Sequence, residues 1–197
     1  MKDAANSPKL IAGRLALDFA NLVPSAHDLS WAEFVGFLVD SKVVSEERGV
    51  RLKTLERSEP VAVDAVLLKI LRLRECARAV FSAVEERRAF PKSWVAPINE
   101  ILRITEGHDE LMTREGQWRL EFVGREGGLE WLLAAIARSA AELIVEGQGA
   151  PVKRCANPEC RLFFYDDSRT RQRRWCSMAV CGNRHKVAEF LRRRGGR

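Results

Sequence analysis

Four cysteines that fall within 27 residues constrain the fold of this chain more than any other feature of its sequence. They form two close pairs, Cys155 with Cys160 and Cys176 with Cys181, in a C-x4-C-x15-C-x4-C arrangement. Each pair can supply two thiolates, and fifteen intervening residues let the chain return, so the spacing is typical of a tetrahedral Zn²⁺ site. The sequence therefore predicts one structural zinc ion bound by these four cysteines.

One other residue, His185, could replace a cysteine as the fourth zinc ligand. Five residues along a helix turn by about 500°, so Cys176 and Cys181 cannot share a face of one regular helix. We expect Cys176 to precede the helix in which Cys181 lies. His185 follows four residues later on the same helical face as Cys181. The four-cysteine site is favoured, and three cysteines with His185 form the alternative.

The segment around the cysteines predicts a treble-clef-like zinc finger over residues 149–197. Asn157 and Pro158 favour a tight turn between the first two cysteines. Residues 162–165 favour a strand, residues 166–168 a turn and residues 169–175 a second strand. A helix from 177 to 194 follows, whose predicted inward face consists of Val180, Val187 and Leu191.

A closed site of four thiolates leaves no position for a reacting water molecule. Residues 161–175 also contain no histidine, which a treble-clef nuclease requires. We therefore expect a protein that is not an enzyme.

Residues 1–148 are predicted to form one mostly helical domain with a small β-hairpin, so the chain as a whole is mainly α. Ser30 and Glu33 fit a capping box at a helix start. From 61 to 88 apolar residues recur every three or four positions, and from 117 to 123 they alternate with polar ones. The predicted helices cover about 31–39, 45–57, 61–88, a dozen residues from Ser93 and 129–146, and the predicted strands cover 111–114 and 117–123.

The basic excess of the chain lies in the finger. Residues 1–150 carry 20 basic and 23 acidic side chains, whereas residues 151–197 carry 13 and 4. A basic strand beside a basic helix is typical of a phosphate-binding surface, because each neutralised phosphate releases a counterion. DNA is therefore the predicted partner. The predicted DNA-contacting residues are Arg169, Arg171, Arg173, Arg174, Lys186, Arg192 and Arg193.

A second group of polar residues is predicted to support the finger. Arg184 falls at the edge of the inward helical face, and its expected partners are Asp166 or Asp167 in the hairpin turn or the negatively charged thiolates. Asn183 and Asp166 are assigned the same structural role.

Two motifs carry a resemblance to a known family. Residues 173–178 (RRWCSM), followed by Cys181-Gly182-Asn183-Arg184, resemble the signature of the CGNR zinc-finger family. In that family the finger follows an ABATE domain, and residues 17–21 (LDFAN) and 73–75 (LRE) resemble the motifs of that domain. The resemblance implies a bacterial, stress-induced transcription regulator that binds zinc through the four cysteines and contacts DNA with its finger.

Three alternatives stay open. Asp18, Asn21 and Arg74 lie in apolar motifs and could form the pocket of an enzyme or of a small-molecule sensor, although capping and a partly buried ion pair are favoured. The finger could instead bind RNA or protein, with the aromatic residues at 163–165 stacking on bases, although packing of at least two of them is favoured. The body could sense an effector or form a homodimer.

The location follows from what the sequence lacks. Its most apolar stretch, residues 129–145, is interrupted by Glu130, Arg138 and Glu142, and no export signal is visible. We therefore expect a cytoplasmic protein without a membrane partner.

Overall fold

The computed structural model describes residues 10–22, 29–104, 107–114, 117–124 and 128–195. The helices are α1 (Leu15–Ala20), α2 (Trp31–Asp40), α3 (Glu46–Ser58), α4 (Pro60–Glu85), α5 (Ala96–Ile104), α6 (Ala134–Glu146) and α7 (Asn183–Gly195). The strands are β1 (Gly107–Arg114), β2 (Gln117–Gly124), β3 (Val152–Arg154) and β4 (Phe163–Tyr165). No helix in these ranges combines the length and apolar character needed to cross a membrane.

The N-terminal body is mainly α, which confirms the predicted class. The capping box at the start of α2 is present, because Ser30 Oγ accepts from the Glu33 N–H and the Glu33 carboxylate accepts from the Ser30 N–H. Ser45 Oγ caps α3 by accepting from the Arg48 N–H, and Pro60 occupies the first turn of α4, where its missing N–H costs nothing. The bounds of the helices predicted in the body differ from those observed by at most five residues at either end.

The body has one continuous apolar core. It is formed by the inward faces of α1, α2, α4 and α6, together with residues of α5. Its largest fully buried side chains include Phe19, Trp31, Phe34, Phe37 and Phe81. The predicted hairpin is also present, since β1 and β2 pair antiparallel from Gly107 opposite Gly124 to Arg114 opposite Gln117.

The second hairpin departs from the prediction. In the finger, β4 pairs antiparallel with β3, which precedes the first cysteine, and residues 169–175 form no strand. The reason lies in the partners of that segment's backbone. The carbonyls of Arg171 and Arg173 accept from Lys153 Nζ, and the Arg173 N–H donates to Asp166. Arg171 also adopts a positive φ of 49°, so alternate arginines do not share a strand face.

The hairpin of the finger contributes to two cores at once. Phe163 and Val152 belong to the core of the body, whereas Phe164 packs with Cys155, Cys176 and Cys181. Phe163 and Phe164 are both buried, but only Phe164 packs in the small core of the finger, where at least two of the three aromatic residues were predicted to pack.

The predicted inward face of the last helix is wrong. Val187 and Leu191 are 58% and 61% exposed, and only Val180 packs against the core of the finger. The helix is held near its start, where the His185 ring lies 4.8 Å from that of Trp175 between ring centroids. An apolar stripe on a short terminal helix is therefore not evidence that the helix is covered.

Candidate metal centre

The four predicted cysteine ligands come together in the structure. One sulfur from each of Cys155, Cys160, Cys176 and Cys181 lies within 4.8 Å of all the others, and the four thiols are free of disulfides. Cys176 Sγ lies 3.6 Å from Cys160 Sγ and 3.7 Å from Cys181 Sγ. Cys160 is partly exposed and the other three cysteines are buried.

Local backbone structure aims the sulfurs at one point. A turn closed by the bond from the Cys160 N–H to the Asn157 carbonyl at 2.9 Å forms the first knuckle. Cys181 lies in a single π-helical turn, Met178–Gly182, which leads into α7. Cys176 therefore precedes the helical segment that contains Cys181, and the two cysteines do not have to share one face of a regular helix. This order is the one expected from their spacing.

The donor set fits a single zinc ion. Four sulfurs about 2.3 Å from a tetrahedral centre would lie about 3.8 Å apart, close to the two measured separations. Burial raises the pKa of the Cys160 thiol to about 11 and also raises the pKa of the Cys176 thiol, because a thiolate is costly away from water. A divalent cation among the sulfurs would offset that cost.

His185 takes no part in the sulfur cluster. Its ring packs on Trp175, and its Nε2 lies 3.9 Å from Glu189 in the same helix. Among the described residues, the cluster that could hold a metal consists of the four cysteines. The four-cysteine alternative is therefore the one the structure supports.

A buried carboxylate organises the loop beside the cluster. Asp166 is fully buried and accepts from Lys153 Nζ at 2.6 Å, from Ser168 Oγ at 2.5 Å and from the Arg173 N–H at 3.0 Å. Burial alone would raise the pKa of Asp166, but these bonds lower it to about 2. The structural role predicted for Asp166 thus has a physical basis, through a different partner.

The pairing of Arg184 with Asp166 is wrong. Arg184 is exposed, and within the described ranges it forms no ion pair with either aspartate of the turn, because Asp166 is bound by Lys153. Asn183 makes a local contact instead, with its Nδ2 donating to the Ala179 carbonyl at 3.2 Å. Sequence reasoning missed Lys153, a basic residue flanked by apolar Val152 in a strand that was not predicted.

Arg173, which was predicted to contact DNA, has the structural role that was predicted for Arg184. Its Nε donates to the Trp175 carbonyl at 2.9 Å, its Nη2 donates to the Cys176 carbonyl, and the guanidinium lies 4.9 Å from the centroid of the Phe164 ring. The other six predicted DNA-contacting residues are exposed. Their role in binding DNA stays a prediction.

The three residues of the predicted pocket are held by different contacts. Asp18 Oδ1 accepts from the N–H groups of Ile11 and Ala12, each at 3.0 Å. The Asn21 amide binds the backbone of Phe163 in the finger, and Arg74 lies on α4 and is partly buried. The capping role favoured for these residues is not seen at Asp18, because Ile11 and Ala12 precede α1 and the N-cap residue of that helix, Arg14, has no side-chain cap bond.

A helical body joined to a four-cysteine finger is the class of protein that this fold and site define. The chain belongs to the ABATE family, described as "Putative stress-induced transcription regulator", whose model matches residues 13–147. The model of the CGNR zinc finger matches residues 152–194. No curated protein matches the chain.

Proposed function

We propose that this protein is a DNA-binding transcription regulator whose zinc-folded finger carries the DNA-contacting surface. The observation that carries the proposal is the exposure of basic side chains around the metal centre. Six of the seven predicted DNA-contacting residues are exposed, and so are Arg184 and Arg194. The family description, which names a transcription regulator, supports the same function.

Two segments contribute to this surface and lie side by side. The contact between Trp175 and His185 holds the end of the 169–175 loop against the first turns of α7. The Arg174 guanidinium lies 5.2 Å from the centroid of the Trp175 ring, which itself contacts His185, so this guanidinium is close to the start of α7. Arg193 pairs with Glu189, but an exposed pair on a helix is weak and can yield to a phosphate.

Arg173 is left out of the proposed surface. Its guanidinium is engaged with two carbonyls and an aromatic ring of the finger, and releasing it would cost those contacts. RNA recognition by stacking on Phe163 and Phe164 is not supported either, because both rings are buried.

Salt dependence tests the proposal. Contact with about five or six phosphates predicts a slope of roughly −4 to −6 in a plot of log affinity against log salt. The double variant Lys186→Ala, Arg192→Ala should reduce the magnitude of the slope by about 2. Lys53→Ala, Arg57→Ala on α3 changes the charge equally and should leave the slope unchanged. A flat salt response, or equal losses in both variants, would overturn the proposal.

Footprinting on genomic DNA tests specificity. Protected sites should be found with the wild-type protein and lost with Cys176→Ser, since the finger would no longer fold around zinc. Tighter binding of single-stranded RNA than of duplex DNA in competition would instead favour the RNA-binding alternative.

We also propose that the body binds a small aromatic anion in a cavity of about 450 Å³ beside α3. Leu52, Leu55 and Leu129 line it, and the Arg48 guanidinium lies 4.0 Å from the centroid of the Trp131 ring at its edge. An apolar lining with a cationic rim fits such a ligand.

The probe for this cavity is 8-anilinonaphthalene-1-sulfonate, an aromatic anion. It should bind the native protein saturably, and Leu55→Asp should abolish that binding. Leu68→Asp, on an exposed part of α4, is the matched control. Absence of saturable binding, or equal binding by both variants, would remove this site.

A further inference from the structure

The side chain of Asn21, in the body, forms two hydrogen bonds with the backbone of the finger. Asn21 Nδ2 donates to the Phe163 carbonyl at 2.8 Å, and the Phe163 N–H donates to Asn21 Oδ1 at 2.8 Å. Asn21 follows α1 directly, and Phe163 is the first residue of β4. An amide can satisfy both backbone groups of one residue only in a fixed orientation, so this contact sets the position of β4 relative to α1.

Further contacts join the same two regions. The Tyr165 N–H donates to the Ala12 carbonyl at 2.7 Å, and the Phe163 ring packs edge-on against that of Phe81 in the core of the body, 6.3 Å away between centroids. On the other strand, Arg154 Nη2 donates to Ser82 Oγ at 3.0 Å and Arg154 Nε lies 3.5 Å from Glu85. The hairpin of the finger thus lies against the body along both strands.

The same hairpin frames the metal centre. The Cys155 N–H donates at 2.8 Å to the carbonyl of Leu162, the residue before β4. Cys160 lies three residues before Phe163, and Ile11 of the body packs against the cluster that contains the cysteines. A short, hydrogen-bonded path therefore connects Asn21 to the first cysteine pair.

We propose that Asn21 is a positioning residue for the zinc site, and that zinc binding and the folding of the body around α1 form one coupled transition. Asn21 holds β4 where the first knuckle can converge with the second cysteine pair. In return, the bound metal keeps Phe163 and Val152 in the core of the body. This inference is independent of DNA binding. It predicts that the finger does not fold independently of the body.

Hydrogen exchange of the full-length protein tests the coupling without any variant. Amides of α1 and of the C-terminal half of α4 should exchange at least about tenfold faster after zinc is removed with a chelator than in the zinc-loaded protein, together with those of β3 and β4. Amides of α3, which packs on α2 and α4 rather than on α1 or the finger, serve as the internal reference. Faster exchange confined to residues 152–182 would overturn the proposal.

Asn21→Ala tests the positioning role. Loss of two hydrogen bonds should weaken zinc affinity, measured by competition with a chromophoric chelator, by about tenfold. Ser41→Ala is the matched control, because Ser41 Oγ donates to the Phe37 carbonyl at 2.7 Å within the body, in a bond that involves neither α1 nor the finger. If both variants lose stability but retain wild-type zinc affinity, Asn21 is merely structural and the proposal fails.

The variant also gives a readout that general destabilisation would not move. The gain in unfolding free energy on adding zinc should be smaller in Asn21→Ala than in the wild type, and unchanged in Ser41→Ala. An equal zinc-dependent gain in all three proteins would contradict the coupling.

Discussion

Lys153 and Asp166 form an ion pair in which Nζ and Oδ2 lie 2.6 Å apart, with the carboxylate fully buried and the ammonium partly exposed. The same ammonium donates to the carbonyls of Arg171 and Arg173. One cation thus folds a loop rich in arginine back against β3. Without it, the carbonyls of Arg171 and Arg173 would lose this donor, and Asp166 Oδ2 would keep only the Arg173 N–H.

Asp166→Asn should lower the free energy of unfolding by about 1–3 kcal/mol, because it removes the charge while leaving Lys153 facing a neutral group. Urea unfolding of the zinc-loaded protein measures the change. Asp167→Asn is the control, since Asp167 is 81% exposed and 4.0 Å from Arg173, and it should change stability by less than about 0.5 kcal/mol. Equal effects of the two substitutions would contradict the role assigned to Asp166.

Arg173→Ala should destabilise the finger by about 1–3 kcal/mol, because its guanidinium binds two carbonyls and covers Phe164. Arg184→Ala should change stability by less than about 0.5 kcal/mol, because Arg184 is exposed. Thermal unfolding of both zinc-loaded variants provides the comparison. A larger loss in Arg184→Ala than in Arg173→Ala would restore the assignment made from sequence.

The exchange of roles between Arg173 and Arg184 illustrates where sequence reasoning ends. The cysteine spacing predicted the metal ligands, because a tetrahedral thiolate site needs two close pairs whatever the fold between them. Helices with capping signals or a long apolar period, such as α2 and α4, were predicted for a similarly local reason.

The remaining features depend on contacts between distant residues. The pairing of β3 with β4 replaced the predicted strand at 169–175 because Lys153 and Asp166 bind the backbone of that segment. Val187 and Leu191 have helical apolar spacing, but no part of the chain that the structure describes covers them. Nothing in the local pattern around Asn21 indicated a partner 142 residues away.

Cys176→Ser should abolish zinc binding at the stoichiometry of one ion per chain, because three thiolates with one hydroxyl form a much weaker site. Elemental analysis of the purified protein measures the metal content. Cys76→Ser is the matched control, since Cys76 lies in α4, in the core of the body rather than in the sulfur cluster, with its thiol donating to the Trp94 carbonyl at 2.7 Å. Full zinc content in Cys176→Ser would contradict the four-cysteine site.

The buried carboxylate of Asp18 should make stability depend on pH in the direction opposite to most aspartates. Burial raises the pKa of Asp18 to about 6, although the N–H groups of Ala12 and Ile11 partly oppose the shift. Between about pH 4 and 6 the folded state therefore binds more protons than the unfolded state, whose Asp18 pKa is about 3.8. Asp18 then contributes stability that increases as pH falls through about 6 and is lost as pH rises.

Asp18→Asn isolates this contribution, because the amide oxygen can still accept from both N–H groups but carries no charge. Between pH 7.5 and pH 5, protonation of Asp18 should stabilise the wild type by about 1.4 kcal/mol. The stability of Asp18→Asn relative to the wild type should therefore fall by that amount over the same range, measured by urea unfolding with excess zinc. Other groups titrate alike in both proteins and cancel in the difference. A difference that stays constant from pH 7.5 to 5 would mean that Asp18 remains charged in the folded protein.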